Sequence, residues 1–558
     1  MARTLSARPI LDVAEDLDLT SAQVIPYGSD KAKITLDALE SGRPAGRLVL
    51  VSAITPTDAG EGKTTTSIGL AQGLARLGQR VCLALREPSL GPTFGQKGGA
   101  TGGGAASVVP GSDINLHFTG DFHAIGSAHN LLAAMLDNHI HHGNALGIDA
   151  RRVTWRRVID MNDRALRHVV IGLGGVLEGV PRETGFDITP ASEVMAALCL
   201  AENHDDLRRR LARVVVALTF DRKPVTAADL KAVGAMMVLL KDAMLPNLVQ
   251  TCDGVPALVH GGPFANIAHG CNSVVATKLA LARADWVVTE AGFGFDLGAE
   301  KFFDIKCVSA GLDTAAVVLV ATVRALKMHG GVVKADLVKP DPGAVERGLG
   351  NLAKHVENIR IFGESPVVAL NRFDSDTGEE VDVVRLWCET TGVPFAVSEV
   401  FAKGGEGGVA LAETVMAHAE RRSQSFTPLY DWSEPIAVKM QKVAHAMYGA
   451  REVAWTKEAQ RALAQIEKLG FGGLPLCIAK TQKSLSDDPQ VVGRPEDFEI
   501  TVRDVILAAG AGYVVPLLGD IMRMPGLPVS PQAERMDLVD GVVVQAPGGP
   551  ASASHPPA

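Results

Sequence analysis

The sequence predicts an α/β protein: a P-loop-containing, mostly parallel, doubly wound sheet in a large N-terminal domain, with two smaller α/β domains behind it. Three observations predict it. Short β-branched runs such as "RLVLVSAI", "RVCLAL", "HVVIGLGG", "ADWVVTEAG", "AAVVLVATV" and "SPVVALNRF" have the length and composition of buried strands. Segments of helical period, "SIGLAQGLARLG" for one, fall between most of them, and that alternation is the mark of a parallel sheet. Finally, 558 residues with 47% apolar and 21% charged side chains exceed one compact core and match ordinary globular usage.

The elements follow in chain order. The N-terminal "MARTLSARPILDVAEDLDLT" has no apolar core of signal-peptide length, and the longest apolar runs fall short of a bilayer, so a cytoplasmic protein without a membrane partner is expected. A strand ending at Ile54 then enters "TPTDAGEGKTTT", residues 55–66, and a helix beginning near Thr64. Backbone N–H groups from Gly60 to Thr65 would converge there on an anion. Lys63 would reach the phosphates, and the Thr64 hydroxyl would hold Mg²⁺. The strict pattern G-x-x-x-x-G-K-[ST] wants glycine where this chain has Thr57, so the loop runs Thr57, Asp58, Ala59, Gly60, Glu61, Gly62, Lys63, Thr64.

A second glycine cluster, "REPSLGPTFGQKGGATGGG", leaves the carboxyl end of the following strand, expected beside the phosphate loop, where ligands bind in such folds. Arg86 is thereby aimed near the γ-phosphate. His139, His141 and His142 crowd together farther on, but their spacing without a nearby cysteine suits a polar helix end rather than a transition metal. Two aromatics close the candidate pocket: Phe373, just past "VVALN", and Phe401, just before "AKGGEGG". Pro, Gly and charge interrupt the pattern near "KADLVKPDPGAVERG" and "RRSQSFTPLYDWSEP", which puts domains at 1–335, 336–425 and 426–545 and a disordered tail at 546–558.

Charge and cysteines exclude other classes. A net charge of −9 with no long basic run argues against nucleic acid as a partner. Seven cysteines without a C-x-x-C pair read as buried thiols. A phosphate loop with a nearby arginine serves one of two purposes. Either ATP drives a conformational switch, or it phosphorylates a small carboxylate so that an amine can attack.

The phrases "TPTDAGEGKTTT", "REPSLGPTFGQKGGA", "GDFHAI", "HGGPFANIAHGCNS", "DLGAEKFFDIKC", "VFAKGGEGG", "IAKTQKSLSDDP" and "GDIMRMPGLPVSP" together resemble formate–tetrahydrofolate ligase over about residues 25–540. The resemblance implies a monofunctional homotetrameric enzyme that makes 10-formyltetrahydrofolate from formate, ATP with Mg²⁺ and tetrahydrofolate through formyl phosphate, with activation by a monovalent cation, K⁺ or NH₄⁺. It implies that Lys63 and Thr64 serve the ATP phosphates, that Arg86 binds formyl phosphate with Glu87 ordering its loop, and that Phe373 and Phe401 sandwich the pterin. Asp121, in "GDFHAI", is either the acceptor of the amine proton or a residue that starts a helix. The chain departs from the family at Phe401, where some members carry Trp, at Asp58, where Pro is usual, and at Lys483, where Tyr is common.

Overall fold

The structure, a computed structural model, describes residues 7–40, 45–58, 60–96, 100–422, 424–519 and 521–545. Seven parallel strands form the heart of a larger mixed sheet: β1 (Arg47–Ala53), β2 (Val81–Leu85), β3 (Pro256–Val259), β4 (Trp286–Glu290), β5 (Ala316–Ala321), β6 (Pro366–Asn371) and β7 (Phe395–Ser398). Their order across the sheet is β3-β2-β4-β1-β5-β6-β7. Antiparallel strands Val24–Pro26, Ala32–Ile34 and Asn247–Thr251 extend it beyond β3.

Both faces are covered, which is why these strands read as continuous apolar runs without polar alternation. In β1, Leu48 and Leu50 enter one hydrophobic cluster and Val49 and Val51 the other. Helix α1 (Lys63–Arg76) joins β1 to β2, as the alternation predicts. The two strands are not neighbours, however, because β4, some two hundred residues later in the chain, lies between them. A second expectation also needs correcting. The run "HVVIGLGG" does not join the central sheet; its strand Val169–Ile171 pairs antiparallel with Arg182–Thr184 in a separate hairpin, with Val170 exposed. Strand composition reports local preference, and burial is decided elsewhere.

Residues 336–425 contribute β6 and β7 to the central sheet. After residue 426 a small sheet of Glu452–Trp455, Glu499–Ala508 and Tyr513–Leu518 packs through Val502 and Val514 into the same cluster that holds Leu48 and Phe295. The tail expected to be disordered, 546–558, lies outside the described residues.

Three further helices bear on function: α2 (Asp121–His141), α3 (Val323–His329) and α4 (Val400–Lys403). They start at or near the carboxyl edge of the parallel strands. That edge carries a row of polar residues, with Arg86 after β2, Glu290 ending β4, Thr322 after β5 and Asn371 ending β6. Parallel α/β sheets bind ligands along this edge.

Candidate active site

The loop between β1 and α1 is built from within. Glu61 is buried and turned away from solvent. It accepts the Thr57 amide at 2.7 Å on one oxygen and the Thr322 hydroxyl on the other. Thr322 in turn caps α3 through the Ala325 amide. Asn371 donates its side-chain amide to the Glu61 carbonyl at 3.1 Å. The loop is thus clamped to the ends of β5 and β6, so Glu61 braces the loop rather than facing a ligand.

This bracing explains the missing glycine. Gly60 and Gly62 have φ of +76° and +73°, the left-handed region that favours glycine. Thr57 is not among the described positive-φ residues, so a threonine costs nothing there. Gly62 is also crowded, since a Cβ would lie 2.4 Å from the Asn371 side-chain nitrogen. It caps α1 with no side-chain hydrogen bond, and the first intrahelical bond is donated by Thr66 to the Gly62 carbonyl at 2.8 Å. The half-buried Lys63, Thr64 and Thr65 therefore form the first turn of a helix whose N-terminus favours an anion. Gly60 spends its own N–H on the Thr57 carbonyl, so the predicted cradle is shorter at that end. Ala59 lies outside the described residues.

Asp58 and Lys483, both singled out by the sequence resemblance, meet in space. The Asp58 carboxylate lies 2.8 Å from the Lys483 ammonium and 3.6 Å from that of Lys334. The hydrogen bond from Lys483 holds the Asp58 carboxyl below its ordinary range. This ion pair joins the loop to the C-terminal segment.

On the other side of α1's N-terminus, Thr64 donates its hydroxyl hydrogen to Glu290 at 2.7 Å. A hydroxyl that gives its only hydrogen to a carboxylate keeps its lone pairs for a cation, which fits Thr64 as a Mg²⁺ ligand. The second Glu290 oxygen is 3.6 Å from the Arg86 guanidinium, whose other arm donates to the Pro263 carbonyl at 3.3 Å. Glu290 was not singled out by the sequence reading. The available signal was an acid as the last residue of a strand with no other charged residue.

Glu87, next to Arg86, points into the interior and is buried. Burial pushes its carboxyl well above the ordinary range, with the Asp121 charge adding to the shift. Asp121 is the first residue of α2 and is buried as well. One oxygen accepts from Lys33 at 2.7 Å and the other from Asn247 at 2.8 Å. With both oxygens engaged inside the protein, Asp121 ties α2 to the antiparallel edge of the sheet.

The loop before α1 and the two aromatics share one pocket of about 210 Å³. Thr57, Gly60, Gly62 and Thr65 line it together with Phe373 and Phe401. Phe401, on α4, is 60% exposed, which excludes the reading that its ring fills a core. Its carbonyl accepts from Ala105 at 2.9 Å, and its ring lies so close to Gly103 that a Cβ there would approach to 3.0 Å. The half-buried Phe373 ring carries the Arg324 guanidinium at 4.1 Å, a cation–π contact. Thr322, Arg324 and Asn371, all lining this pocket, were also missed by sequence reasoning; each sits at or just past a strand's carboxyl end. The crowded histidines lie elsewhere, His139 accepting the Leu146 amide at 3.1 Å.

A mixed α/β architecture with a pocket at the carboxyl edge of a mostly parallel sheet, lined by residues next to a helix N-terminus and by two aromatic rings, is the arrangement in which α/β proteins bind their ligands. The family model described as formate–tetrahydrofolate ligase matches residues 1–545. The chain belongs to that family. It is an ATP-dependent ligase whose substrates are formate, ATP and tetrahydrofolate. Among the described residues no helix is long and apolar enough to cross a membrane.

Proposed function

We propose that the pocket runs the ligation in two steps, with formyl phosphate between them. A formate oxygen attacks the γ-phosphorus of ATP, the bond to ADP breaks, and formyl phosphate forms. The N10 amine of tetrahydrofolate then attacks the formyl carbon, the C–O bond to phosphate breaks, and the amine proton leaves to solvent or buffer. Phosphate departs readily where hydroxide would not, so the protein's work is positioning and neutralising charge.

In this reading the P-loop holds the ATP phosphates through Lys63 and the first-turn amides of α1. Thr64 holds Mg²⁺, which screens the phosphate charge when bound. Arg86 binds the acyl phosphate with its planar fork, and Glu87 and Asp121 keep its loop and the start of α2 in place from inside. Phe373 and Phe401 take the pterin between them, so that the segment 336–425 supplies the folate side and the N-terminal segment the nucleotide side. The observation that carries the proposal is one pocket lined both by Thr57, Gly60, Gly62 and Thr65 of the loop and by the two phenylalanines. A homotetramer and a K⁺ or NH₄⁺ activator belong to the proposal through the family resemblance. The hairpin tip with exposed Val176 and Leu177 supports burial in an assembly.

The test is trapping. Enzyme, formate and MgATP without folate, quenched into hydroxylamine, should yield formohydroxamate in amounts comparable to enzyme sites. Its absence, with 10-formyltetrahydrofolate still made when folate is added, would overturn the two-step order.

A further inference from the structure

Glu290 is the last residue of β4, and β4 lies between β1, which feeds the phosphate loop, and β2, which ends at Arg86. Its side chain is nearly buried, 7% exposed. One oxygen accepts the Thr64 hydroxyl at 2.7 Å and the other faces Arg86 at 3.6 Å. A buried carboxylate carries a desolvation cost that only close positive or hydrogen-bonding partners offset. Both of these partners are residues assigned to substrate phosphates. The Arg86 Nε is buried and has no hydrogen-bond partner among the described residues, so its guanidinium is held at its two ends, by Glu290 and by Pro263, and keeps a donor in reserve.

We infer that Glu290 is the positioning residue of the phosphate site: it orients the Thr64 hydroxyl toward the nucleotide's Mg²⁺ and, with its other oxygen, sets the angle of Arg86. The inference rests on the P-loop reading above. A carboxylate that accepts from a metal-ligating hydroxyl raises the donor strength of that oxygen, and losing such a partner costs about 10- to 100-fold in metal affinity. Glu290 also faces Arg86 with a single charge, which holds the guanidinium in place until a phosphate of higher charge competes for it.

The experiment is calorimetric titration of a non-hydrolysable ATP analogue into the full-length protein at a series of Mg²⁺ concentrations and in excess chelator, so that no turnover is read. Wild type, Glu290→Gln and Thr64→Ala are compared, with melting curves as the control on folding. For Glu290→Gln the Mg²⁺ concentration giving half-maximal enhancement of binding should rise by about tenfold or more. Binding in chelator should be unchanged or tighter, since a negative charge has left the site. An unchanged Mg²⁺ dependence in Glu290→Gln, with Thr64→Ala shifted, overturns the inference and leaves the P-loop reading standing. If neither variant shifts, the P-loop reading fails and the inference with it. Equal weakening with and without Mg²⁺ marks a structural role and also overturns it. Should Glu290→Gln fail to fold, Glu290→Asp, which keeps the charge but shortens the reach to Thr64, is read in the same titration, and an unchanged Mg²⁺ dependence there counts equally against it.

Discussion

Replacing Phe401 by alanine separates a ligand platform from a packing residue, and the structure sets the size of each effect. The side chain is 60% exposed, so only about two-fifths of the ~1.5–3 kcal/mol available from fully burying a phenylalanine is at stake, about 1 kcal/mol of folding stability. A lost stack on the pterin costs about 1–3 kcal/mol by analogy with nucleobase stacking, which is roughly a five- to 150-fold weaker affinity for tetrahydrofolate. Folate affinity should therefore fall while the melting temperature moves by only a few degrees. Hydroxamate formation from formate and MgATP should persist, because the proposed function puts that chemistry at Lys63 and Arg86, neither of which is among the residues lining the pocket with Phe401. Phe401→Trp should be tolerated, since an exposed ring has room to grow away from Gly103. Folate titration by fluorescence or calorimetry, alongside melting curves, reads all of these. Unaltered folate affinity in Phe401→Ala, or a Trp variant that unfolds, would refute the assignment.

Arg86→Lys should keep the charge but lose one of the two contacts, to Pro263 or to Glu290, and with it the planar fork; turnover should drop about tenfold or more, and an unchanged rate at saturating formate would make Arg86 structural. Gly62→Ala forces a Cβ into a left-handed residue and displaces Asn371 from the Glu61 carbonyl, so nucleotide affinity should weaken by about 2–3 kcal/mol, measured by equilibrium binding with folate affinity as the control. A double-mutant cycle on Asp58 and Lys483, both about half exposed, should give a coupling of only ~0.2–1 kcal/mol that fades in high salt; a larger, salt-independent coupling would mean the pair is shielded by another element. The buried Glu300 and Asp304 carboxyls offer a pH test. Burial pushes Glu300 well above the ordinary range and Asp304 up to about 8. The folded protein thus holds more protons than the unfolded chain between the ordinary carboxyl values and about pH 8, and stability falls as pH rises through that window. Glu300→Gln removes one of the two groups, so denaturation followed from pH 5 to 9 should show a shallower decline and a variant more stable than wild type at pH 8; identical slopes would refute the assignment.

Much of the site was legible because its signals are local. The β1–loop–α1 unit is a contiguous pattern, Arg86 directly follows an apolar run and Phe373 comes two residues after a strand, so both lie at the carboxyl edge of the sheet, where the runs before them put them. Even the apparent defect at Thr57 is locally explained, since the left-handed turns fall at Gly60 and Gly62. What sequence could not supply was pairing over distance. Glu290 lies 226 residues from the Thr64 hydroxyl it accepts, Asn371 lies 310 from Glu61, and Lys33 lies 88 from Asp121; only the insertion of β4 between β1 and β2 makes the first contact possible. Glu61 and Asp121 look like ligand groups in a motif because they are charged, yet their partners are internal. The run "HVVIGLGG" misleads for the opposite reason, carrying strand propensity without a core to join.

The central claim is that ATP converts a formate oxygen into part of a phosphate leaving group before the folate amine attacks. Formate labelled with ¹⁸O in both oxygens, turned over with unlabelled MgATP and tetrahydrofolate, tests it in one mass spectrum of the released inorganic phosphate. Transfer through formyl phosphate places one ¹⁸O in each phosphate and leaves the other in the formyl group. Phosphate released without label, while 10-formyltetrahydrofolate accumulates in equal amount, would mean that ATP hydrolysis drives the reaction without phosphorylating formate and would contradict the account.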